Sequence, residues 1–185
     1  SDYLKSGGYI SQKKWQLEEN NLIKELNLLT AKPVLYIFNI SEQQLKNDWQ
    51  PDEKFKENLV QAGYVTLCNN IELILSEVEP EEASLILSDF NLKESKINEF
   101  IRKSYKVVDL ISFFTTGLDE TRAWTITSNT PIQKAAAVIH TDFEKLFIKA
   151  EVIDWQDLII IGSWSIAKER GKIRKLLQFF ALKVG

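Results

Sequence analysis

The segment from Gly117 to Val152 constrains the fold of this 185-residue chain more than any other part of its sequence. From Thr121 to Thr127 the residues are β-branched or aromatic and alternate between two faces, which predicts a strand. Pro131 is suited to the first turn of a helix, and Gln133 to Val138 is a short Ala-rich segment. From Phe147 to Val152 apolar and polar residues alternate again, which predicts a second, half-exposed strand. A strand, a short helix and a strand this close together indicate a small α+β unit.

Gly117 and three runs in this segment match a known family: Glu120 to Ile126, Ile139 to Glu144 and Phe147 to Glu151. They resemble the TGS domain of the YchF/Obg-like ATPases, a branch of the Obg-related P-loop NTPases. The resemblance extends backwards to about Trp15. It implies an α/β plus α+β fold class, in which the parallel βαβ of a partial P-loop NTPase domain precedes a β-grasp TGS domain with an atypical carboxyl-terminal strand.

The resemblance also implies three regions along the chain. Residues 1–30 would form a connector and a helix that returns from a helical arm. Residues 31–110 would form the carboxyl-terminal part of a nucleotide-binding α/β domain with a helical connector, and residues 111–185 the TGS domain.

Composition excludes several classes of protein. The chain is 44% hydrophobic and 26% charged, which is ordinary for a soluble protein, and its net charge of −3 gives no general attraction to DNA or to an anionic membrane. No apolar run reaches the ~18 residues of a membrane span. The single cysteine, Cys68, fits a reducing cytoplasm, and one cysteine with one histidine is too few for a Cys/His zinc site. We expect a cytoplasmic protein without a metal site and, because the sequence contains no methionine, a fragment of a longer chain.

The first half of the chain predicts a helix followed by a parallel βαβ unit. Apolar residues at helical spacing predict an amphipathic helix from Trp15 to Leu29. Val34 to Phe38 is a continuous apolar run, typical of a strand that is buried on both faces of a parallel sheet. Lys54 to Ala62 predicts a helix that Gly63 ends, and Tyr64 to Cys68 predicts a second buried strand. Two strands joined by one helix indicate a right-handed crossover.

A polar sequence, Asn39-Ile40-Ser41-Glu42, follows the first of these strands directly. Ligands of open α/β sheets bind beyond the carboxyl ends of the strands, so these residues stand where a nucleotide base would bind. The carboxamide of Asn39 offers donors and an acceptor, which can pair with N7 and the 6-substituent of a purine. The structural alternative is that Asn39 is an ordinary turn residue and Glu42 a favourable charge at a helix N-terminus.

The four residues resemble the Asn-x-x-Glu element that replaces the GTPase signature in the Obg-like ATPases, which implies a preference for adenine over guanine. By this resemblance Asn39 reads the base edge, Ile40 packs on the base or offers its main chain, and Glu42 marks the departure from guanine specificity. The resemblance also places a loop after the second strand, at Cys68 and Asn69, whose main-chain amides face the base. The family usually has Ala or Gly in this loop where the present chain has asparagines. Cys68 has no basic neighbour and no second cysteine that would activate its thiol, so we interpret it as a core residue.

Two helices and a strand are predicted between the βαβ unit and the TGS-like segment. Glu79 to Glu82 suits the start of a helix, with a proline and acidic residues in the first turn. Leu92 to Leu110 has apolar residues at helical spacing, and its charged residues are expected to form a solvated face. Ile111 to Thr115 is expected to be the first strand of the same sheet as the strand that comes after it.

Two features of the second half are candidates for contacts with a partner. His140, the only histidine, has no nucleophile beside it, so we interpret it first as a structural residue near a turn and second as a contact to RNA or protein. Lys168 to Lys175 contains five basic residues and one acid. Such clusters are usually solvated, but Lys172, Arg174 and Lys175 are candidates for phosphate contacts.

Beyond Arg174 the sequence departs from the family, which continues with a Gly-Lys-x-Tyr strand and an Asp-Gly-Asp turn before its final strand. The chain instead ends in an apolar tail from Leu176 to Gly185. The last strand of a grasp fold pairs within the sheet, and each buried backbone group left unpaired costs roughly 1–3 kcal/mol. We therefore expect the fold to be weakest here.

The sequence contains no GxxxxGK[ST] loop to cradle phosphates and to supply a lysine and a Mg²⁺-binding hydroxyl. We therefore expect no catalytic residue in this chain, weak binding of ATP, and Mg²⁺ only in an intact protein. The resemblance implies an intact protein that hydrolyses ATP and associates with ribosomes through RNA or protein. The preference of the chain itself between ATP and GTP stays open.

One alternative is a stand-alone TGS module that binds RNA, the ribosome or a protein without hydrolysing nucleotide. Another is a truncated product that does not fold stably.

Overall fold

The structure is a computed structural model, and it describes residues 5–7, 10, 13–59, 63–117 and 119–177. The chain divides into two compact units, a first unit from Ser1 to Val108 and a second unit from Asp109 to Gly185. The division falls close to residue 111, where the sequence predicts the start of a separate domain.

The first unit contains helices, a short 3₁₀ turn and a pair of strands. In chain order they are α1 (Leu17–Leu26), the 3₁₀ turn (Leu29–Ala31), β1 (Leu35–Asn39), α2 (Glu42–Lys46), α3 (Glu53–Leu59), β2 (Gly63–Leu67), α4 (Asn69–Glu77), α5 (Pro80–Asp89) and α6 (Lys96–Val107).

β1 and β2 run parallel, in a register from Leu35 opposite Gly63 to Asn39 opposite Leu67. The predicted strand–helix–strand unit with parallel strands is therefore confirmed. Gly63, expected to end the preceding helix, is instead the first residue of β2, because its amide group belongs to the ladder with β1. The predicted end of that helix at residues 60–62 lies outside the described residues.

The prediction that β1 is buried on both faces is wrong. Tyr36 is 37% exposed and Ile37 48% exposed, whereas Val65 on the neighbouring strand is only 1% exposed. A strand inside a parallel sheet is covered by neighbours on both sides, but within the described residues β1 pairs with β2 alone. An apolar run such as that of β1 therefore predicts a buried strand correctly only where other elements pack on both faces of that strand.

The core of the first unit lies at the carboxyl ends of the two strands. Its buried members are Ile40, Leu45, Cys68 and Ile71, and the partly buried residues around them are Phe38, Trp49, Leu75, Ile86, Phe90 and Leu92. Cys68 is 3% exposed, which confirms its interpretation as a core residue. The core thus lies directly beneath the polar residues that come after β1.

α6 presents its charged residues differently from the prediction. Lys96 and Lys103 both form ion pairs with Glu99, at 2.8 and 2.7 Å, and Lys103 Nζ also donates to the main-chain oxygen of Tyr64 on β2 at 2.8 Å. Burial alone would raise the pKa of Glu99, but hydrogen bonds from Lys103 and Lys96 outweigh it and hold that pKa below its ordinary value. The expected solvated face is therefore partly wrong, because an ammonium group is a suitable partner for an unpaired strand carbonyl.

The second unit contains two antiparallel pairs of strands. Its elements are β3 (Leu110–Thr116), β4 (Thr121–Thr127), α7 (Ile132–Ile139), α8 (Thr141–Lys145), β5 (Lys149–Val152), α9 (Trp155–Ile161), α10 (Trp164–Glu169) and β6 (Arg174–Leu177).

β3 pairs with β4, as predicted, and α7 packs on this pair through a small core of Ile111, Ile126 and Ala135. β5 pairs with β6, from Lys149 opposite Leu177 to Val152 opposite Arg174. The two pairs are separate ladders within the described residues, so the single β-grasp sheet stays a prediction. The apolar tail beyond residue 177 lies outside the described residues.

Candidate functional site: a cleft at the strand ends

A cleft of about 560 Å³, called the main cleft below because it holds the predicted site residues, opens in the first unit where β1 and β2 end side by side. It is lined by residues at and beyond the ends of the two strands, namely Asn39, Ile40, Ser41, Glu42, Gln43, Cys68, Asn69 and Asn70. All five candidate base-contact residues predicted from the sequence, Asn39, Ile40, Glu42, Cys68 and Asn69, are among them. The structure brings them together because parallel strands end at the same edge of a sheet.

Asn39 is held by the first residue of α4. The main-chain N–H of Asn69 donates to Asn39 Oδ1 at 3.2 Å. The loop that the resemblance implies after β2 is absent here, because α4 begins at Asn69, directly after its N-cap residue Cys68. Cys68 is 3% exposed and belongs to the core, so little of its surface is open to the cleft.

Ile40 lines the cleft, but little of its surface is exposed. Its side chain is 7% exposed and packs in the core, and its N–H donates to the main-chain oxygen of Leu67 at 2.9 Å. Of the two roles expected for Ile40, packing on a base does not fit this burial. The main-chain carbonyl is what Ile40 can offer to a ligand.

Ser41 and Glu42 begin α2. The N–H of Gln44 donates to Ser41 Oγ at 3.2 Å, and the N–H of Ser41 donates to Gln44 Oε1 at 2.9 Å, which is a reciprocal capping arrangement. Glu42 comes next, in the first helical turn, and is exposed. The structural alternative for Glu42 therefore holds, and the same position also leaves its carboxylate at the cleft.

Glu72 is a buried acid that sequence reasoning missed. It is 6% exposed, and its carboxylate accepts hydrogen bonds from the hydroxyl of Ser95 and from the main-chain N–H of Lys96, the latter at 2.8 Å. These are the capping residue and the first residue of α6, so Glu72 joins the start of α6 to the helix that carries Asn69. No local pattern reveals this link, because the partners are more than 20 residues apart in the sequence.

A second cavity of about 490 Å³ lies beside β2 and α6, and the sequence offered no signal for it. Trp49, Tyr64 and Phe90 contribute aromatic rings to its wall, while Glu99 and its lysine partners contribute charges that are already paired. Other polar residues, among them Lys46, Asp48, Gln50 and Asn91, also line the cavity.

The groups that line the main cleft do not form a site for a hard metal ion. Carboxamides, a hydroxyl, main-chain groups and one carboxylate line it, and hard cations such as Mg²⁺ favour several oxygen ligands, often carboxylates. Within the described ranges no group of three or more His, Cys, Asp or Glu side chains could hold a metal ion. In the same ranges no helix has both the length and the apolar content needed to cross a membrane.

In the second unit His140 has a structural role, as its first interpretation predicts. Its Nδ1 accepts a hydrogen bond from the N–H of Asp142 at 3.2 Å and so caps α8, a helix where the sequence predicts only a turn. The imidazole ring is 5.9 Å from the ring of Phe143 and is largely exposed. These contacts leave the second interpretation, a contact to RNA or protein, untested.

The residues of the predicted basic cluster lie at the end of α10, in the turn after it and on β6. Lys172 Nζ is 3.2 Å from a carboxylate oxygen of Asp157 on α9. Arg174 and Lys175 are exposed on β6. The cluster is thus a surface feature, and one of its cations is already paired.

Known proteins match both the sequence and the structure of this chain. Residues 110–183 match the family YchF-GTPase_C, whose description is "Protein of unknown function (DUF933)". The match continues past Arg174, and β6, which begins there, pairs with β5. The family match therefore covers residues beyond Arg174, although the Gly-Lys-x-Tyr and Asp-Gly-Asp sequences expected there are absent from the chain.

The ribosome-binding ATPase YchF of Haemophilus influenzae is 40% identical over 173 residues, covering 92% of this chain and 47% of that protein. The protein of the same name from Escherichia coli O157:H7 is 35% identical and covers 98% of this chain and 50% of its own length. The structure of the Schizosaccharomyces pombe YchF GTPase matches with a TM-score of 0.86 and 31% identity, covering 99% of this chain and 50% of that one. The chain thus spans about half the length of the curated relatives it matches.

Proposed function

We propose that this chain, which carries the carboxyl-terminal domain of the YchF family, acts as the carboxyl-terminal part of a ribosome-binding ATPase. In this proposal the first unit supplies the base-binding edge of a nucleotide site, and the second unit is a TGS domain. The intact protein would work in the cytoplasm, bind and hydrolyse ATP, and require Mg²⁺.

The observation that carries the proposal is the cleft at the ends of β1 and β2. Residues from two separate parts of the sequence meet there, at the edge of a parallel sheet where such folds bind ligands. Asn39 lies at this edge with its carboxamide held by Asn69. Glu42 supplies an acceptor that can meet the 6-amino group of adenine.

Hydrolysis belongs to the intact protein in this proposal. Phosphoryl transfer depends on positioning and on stabilising charge on the phosphates, and this sequence contains no phosphate-binding loop. Bound ATP would supply the γ-phosphoryl group for transfer, and this chain would contribute the contacts to the base. We therefore expect weak nucleotide binding and no turnover by the chain alone.

The test is a titration of the purified chain with ATP and GTP, with Asn39→Ala as the variant and Asn47→Ala, at the far end of α2, as the matched control. We expect Asn39→Ala to weaken binding by roughly threefold to tenfold, since it removes one hydrogen-bonding group, and Asn47→Ala to leave it unchanged. ATP turnover by the chain that disappears in Asn39→Ala would contradict the catalytically silent assignment. If Asn39→Ala and Asn47→Ala bind nucleotide with equal affinity, the cleft is not the nucleotide site.

A second candidate function, binding of RNA or a ribosomal protein without nucleotide hydrolysis, is favoured by the exposed basic cluster. Five of its residues are basic, and Lys172, Arg174 and Lys175 lie close together in sequence at and just before β6. If this second function is correct, the chain should co-sediment with ribosomes, and the co-sedimenting fraction should fall as salt is added. Replacing these three residues by Gln should lower the pelleted fraction, while replacing Lys24, Lys93 and Lys106 of the first unit removes the same charge elsewhere. Equal effects of the two triple variants would show that the cluster is ordinary solvated surface.

A further inference from the structure

The second cavity, beside β2 and α6, is separate from the main cleft and has the size of a ligand site. Its volume of about 490 Å³ lies within the range of small-molecule pockets, which is about 300–1,000 Å³. The residues that line it all belong to the first unit, so one compact unit forms it. Within the described residues, Ile40 alone lines both the cavity and the main cleft.

Aromatic rings form one wall of this cavity, and a further ring behind them holds two of them in place. Trp49, Tyr64 and Phe90 line the cavity and are each half-buried. The ring of Phe38 lies 5.6 Å from the ring of Trp49 and 5.8 Å from the ring of Tyr64. The hydroxyl of Tyr64 also donates to Gln50 Oε1 at 2.8 Å. Rings that are held in this way offer a fixed apolar surface on which another flat ring can stack.

Most charged groups around the cavity already have partners. Lys96 and Lys103 both form ion pairs with Glu99, at 2.8 and 2.7 Å. The carboxylate of Asp48 accepts a hydrogen bond from Gln50 Nε2 at 3.3 Å. Three lysines and two acids line the cavity, so its lining groups carry a net positive charge. This charge favours an anionic ligand over a cationic one.

Lys46 supplies the positive charge that remains for a ligand. Its Nζ lies 4.9 Å from the centre of the Phe90 ring, so an ammonium group stands beside the aromatic wall. In the part of the chain that the structure describes, Lys46 forms no ion pair. A carboxylate at this point would accept a charge-assisted hydrogen bond from Lys46 while a ring attached to it stacks on the wall.

We propose that this cavity binds a small planar aromatic carboxylate, with Lys46 on the carboxylate and the rings of Trp49 and Phe90 against the aromatic part. The site is independent of the proposed nucleotide function, because Asn39 and Asn69 do not line it. Its ligand is selected by two features together, a flat apolar ring and one negative charge.

The probes for the test are indole-3-acetate and indole-3-acetamide, which share one ring and differ in a single charge. An NMR titration of the ¹⁵N-labelled chain follows the amide signals of Trp49, Thr66 and Asn91 at the cavity, and those of Asn69 and Asn70 at the main cleft. We expect both probes to shift the cavity signals and to leave the main-cleft signals in place. The carboxylate should bind roughly threefold to tenfold more tightly than the amide, the worth of one charge-assisted contact at an exposed lysine.

Lys46→Gln tests the charge, and Lys24→Gln, which removes the same charge from α1 outside the cavity, is the matched control. We expect Lys46→Gln to bind the two probes with equal affinity and to keep the wild-type affinity for indole-3-acetamide. Lys24→Gln should keep the wild-type preference for the carboxylate. Since Lys46 is exposed, its replacement leaves the core intact, and thermal unfolding checks this.

The wild-type chain alone can already overturn the proposal. Equal affinity for the two probes would remove the anion preference, and the absence of saturable shifts at the cavity would remove the site. Shifts confined to the main cleft would assign the probes to that cleft instead. In the variants, an unchanged preference in Lys46→Gln would overturn the role of Lys46.

Discussion

In the first unit, Asn39 and Ser41 of the cleft are held by main-chain groups, whereas the basic cluster of the second unit consists of long cations on its surface. Asn39 accepts from Asn69 N–H, and Ser41 caps α2. In the basic cluster, Lys172 is paired with Asp157 through exposed side chains. Binding by the cleft would therefore depend on the exact positions of individual donor and acceptor atoms. Binding by the cluster would depend on its number of positive charges.

The two units also differ in charge. Residues 1–108 contain 17 acidic and 13 basic residues, whereas residues 109–185 contain nine acidic and ten basic ones. Five of those ten lie between Lys168 and Lys175. The net charge of −3 for the whole chain does not show this difference. The net charge of a complete sequence therefore does not indicate which partner one unit binds.

The largest effect is expected from the small core beneath the β3–β4 pair. Ile126 is 6% exposed, and Ile126→Ala should lower the free energy of unfolding by about 2–4 kcal/mol because it leaves a cavity. Ile160 is 82% exposed, so Ile160→Ala is the matched control and should change it by less than about 0.5 kcal/mol. Urea denaturation followed on the amide signals of β3 and β4 measures both. Similar losses in the two variants would show that this core does not hold the second unit together.

The next effect tests whether the first unit relies on fixed polar groups. Glu72→Ala leaves the hydroxyl of Ser95 and the N–H of Lys96 without their partner, which should cost about 1–3 kcal/mol in the free energy of unfolding. Glu77→Ala, an exposed acid on the same helix, is the control. Thermal unfolding of the two variants gives the comparison. If both behave alike, Glu72 is an incidental contact and α4 is held by its apolar side alone.

Local patterns predicted many elements well, and the reason is physical. The strand predicted from Thr121 to Thr127 is found with those bounds because a period of two residues is a property of neighbouring residues. The candidate residues Asn39 and Asn69 could be placed at one edge because the carboxyl ends of parallel strands meet at the same edge of the sheet. The first prediction needed only neighbouring residues, and the second needed only the order of elements along the chain.

The features that could not be predicted depend on contacts between distant residues. The exposure of Ile37 on β1 depends on which elements cover it, and an apolar run does not contain that information. The same holds for α6, where the period of apolar residues shows which face is apolar but not that Glu99 and Lys103 lie against β2. The cap that Glu72 provides to α6 likewise joins residues that no local pattern connects.

A smaller effect distinguishes the paired cation of the basic cluster from an unpaired one. Among the described residues Arg174 has no ion pair, whereas Lys172 has Asp157. If the cluster binds phosphates, Arg174→Gln should weaken ribosome association at low salt by roughly threefold to tenfold, the loss of about one phosphate contact. Lys172→Gln should have less than about half that effect, because its charge is already partly neutralised. Co-sedimentation over a range of salt concentrations measures both, and equal losses would mean that the ion pair with Asp157 opens on binding.

The smallest effect concerns the ion pairs of Glu99 at low pH. Burial acts to raise the pKa of Glu99, but Lys103 and Lys96 hold it below its ordinary value, so the unfolded chain takes up this proton first as the pH falls. The stabilisation is therefore present above about pH 4.3, the ordinary glutamate value, and is lost as the pH falls through the lower pKa of the folded state. Glu99→Gln should be less stable than the wild type by roughly 0.5 kcal/mol near neutral pH, and the difference should shrink in acid. Comparing the two chains by urea denaturation at several pH values cancels the titration of other groups, including Glu94, whose pKa a hydrogen bond from Arg102 lowers. If the stability difference between Glu99→Gln and the wild type stays constant with pH, Glu99 acts through packing and not through its charge. In that case α6 would not share the fixed polar contacts that distinguish the first unit from the second.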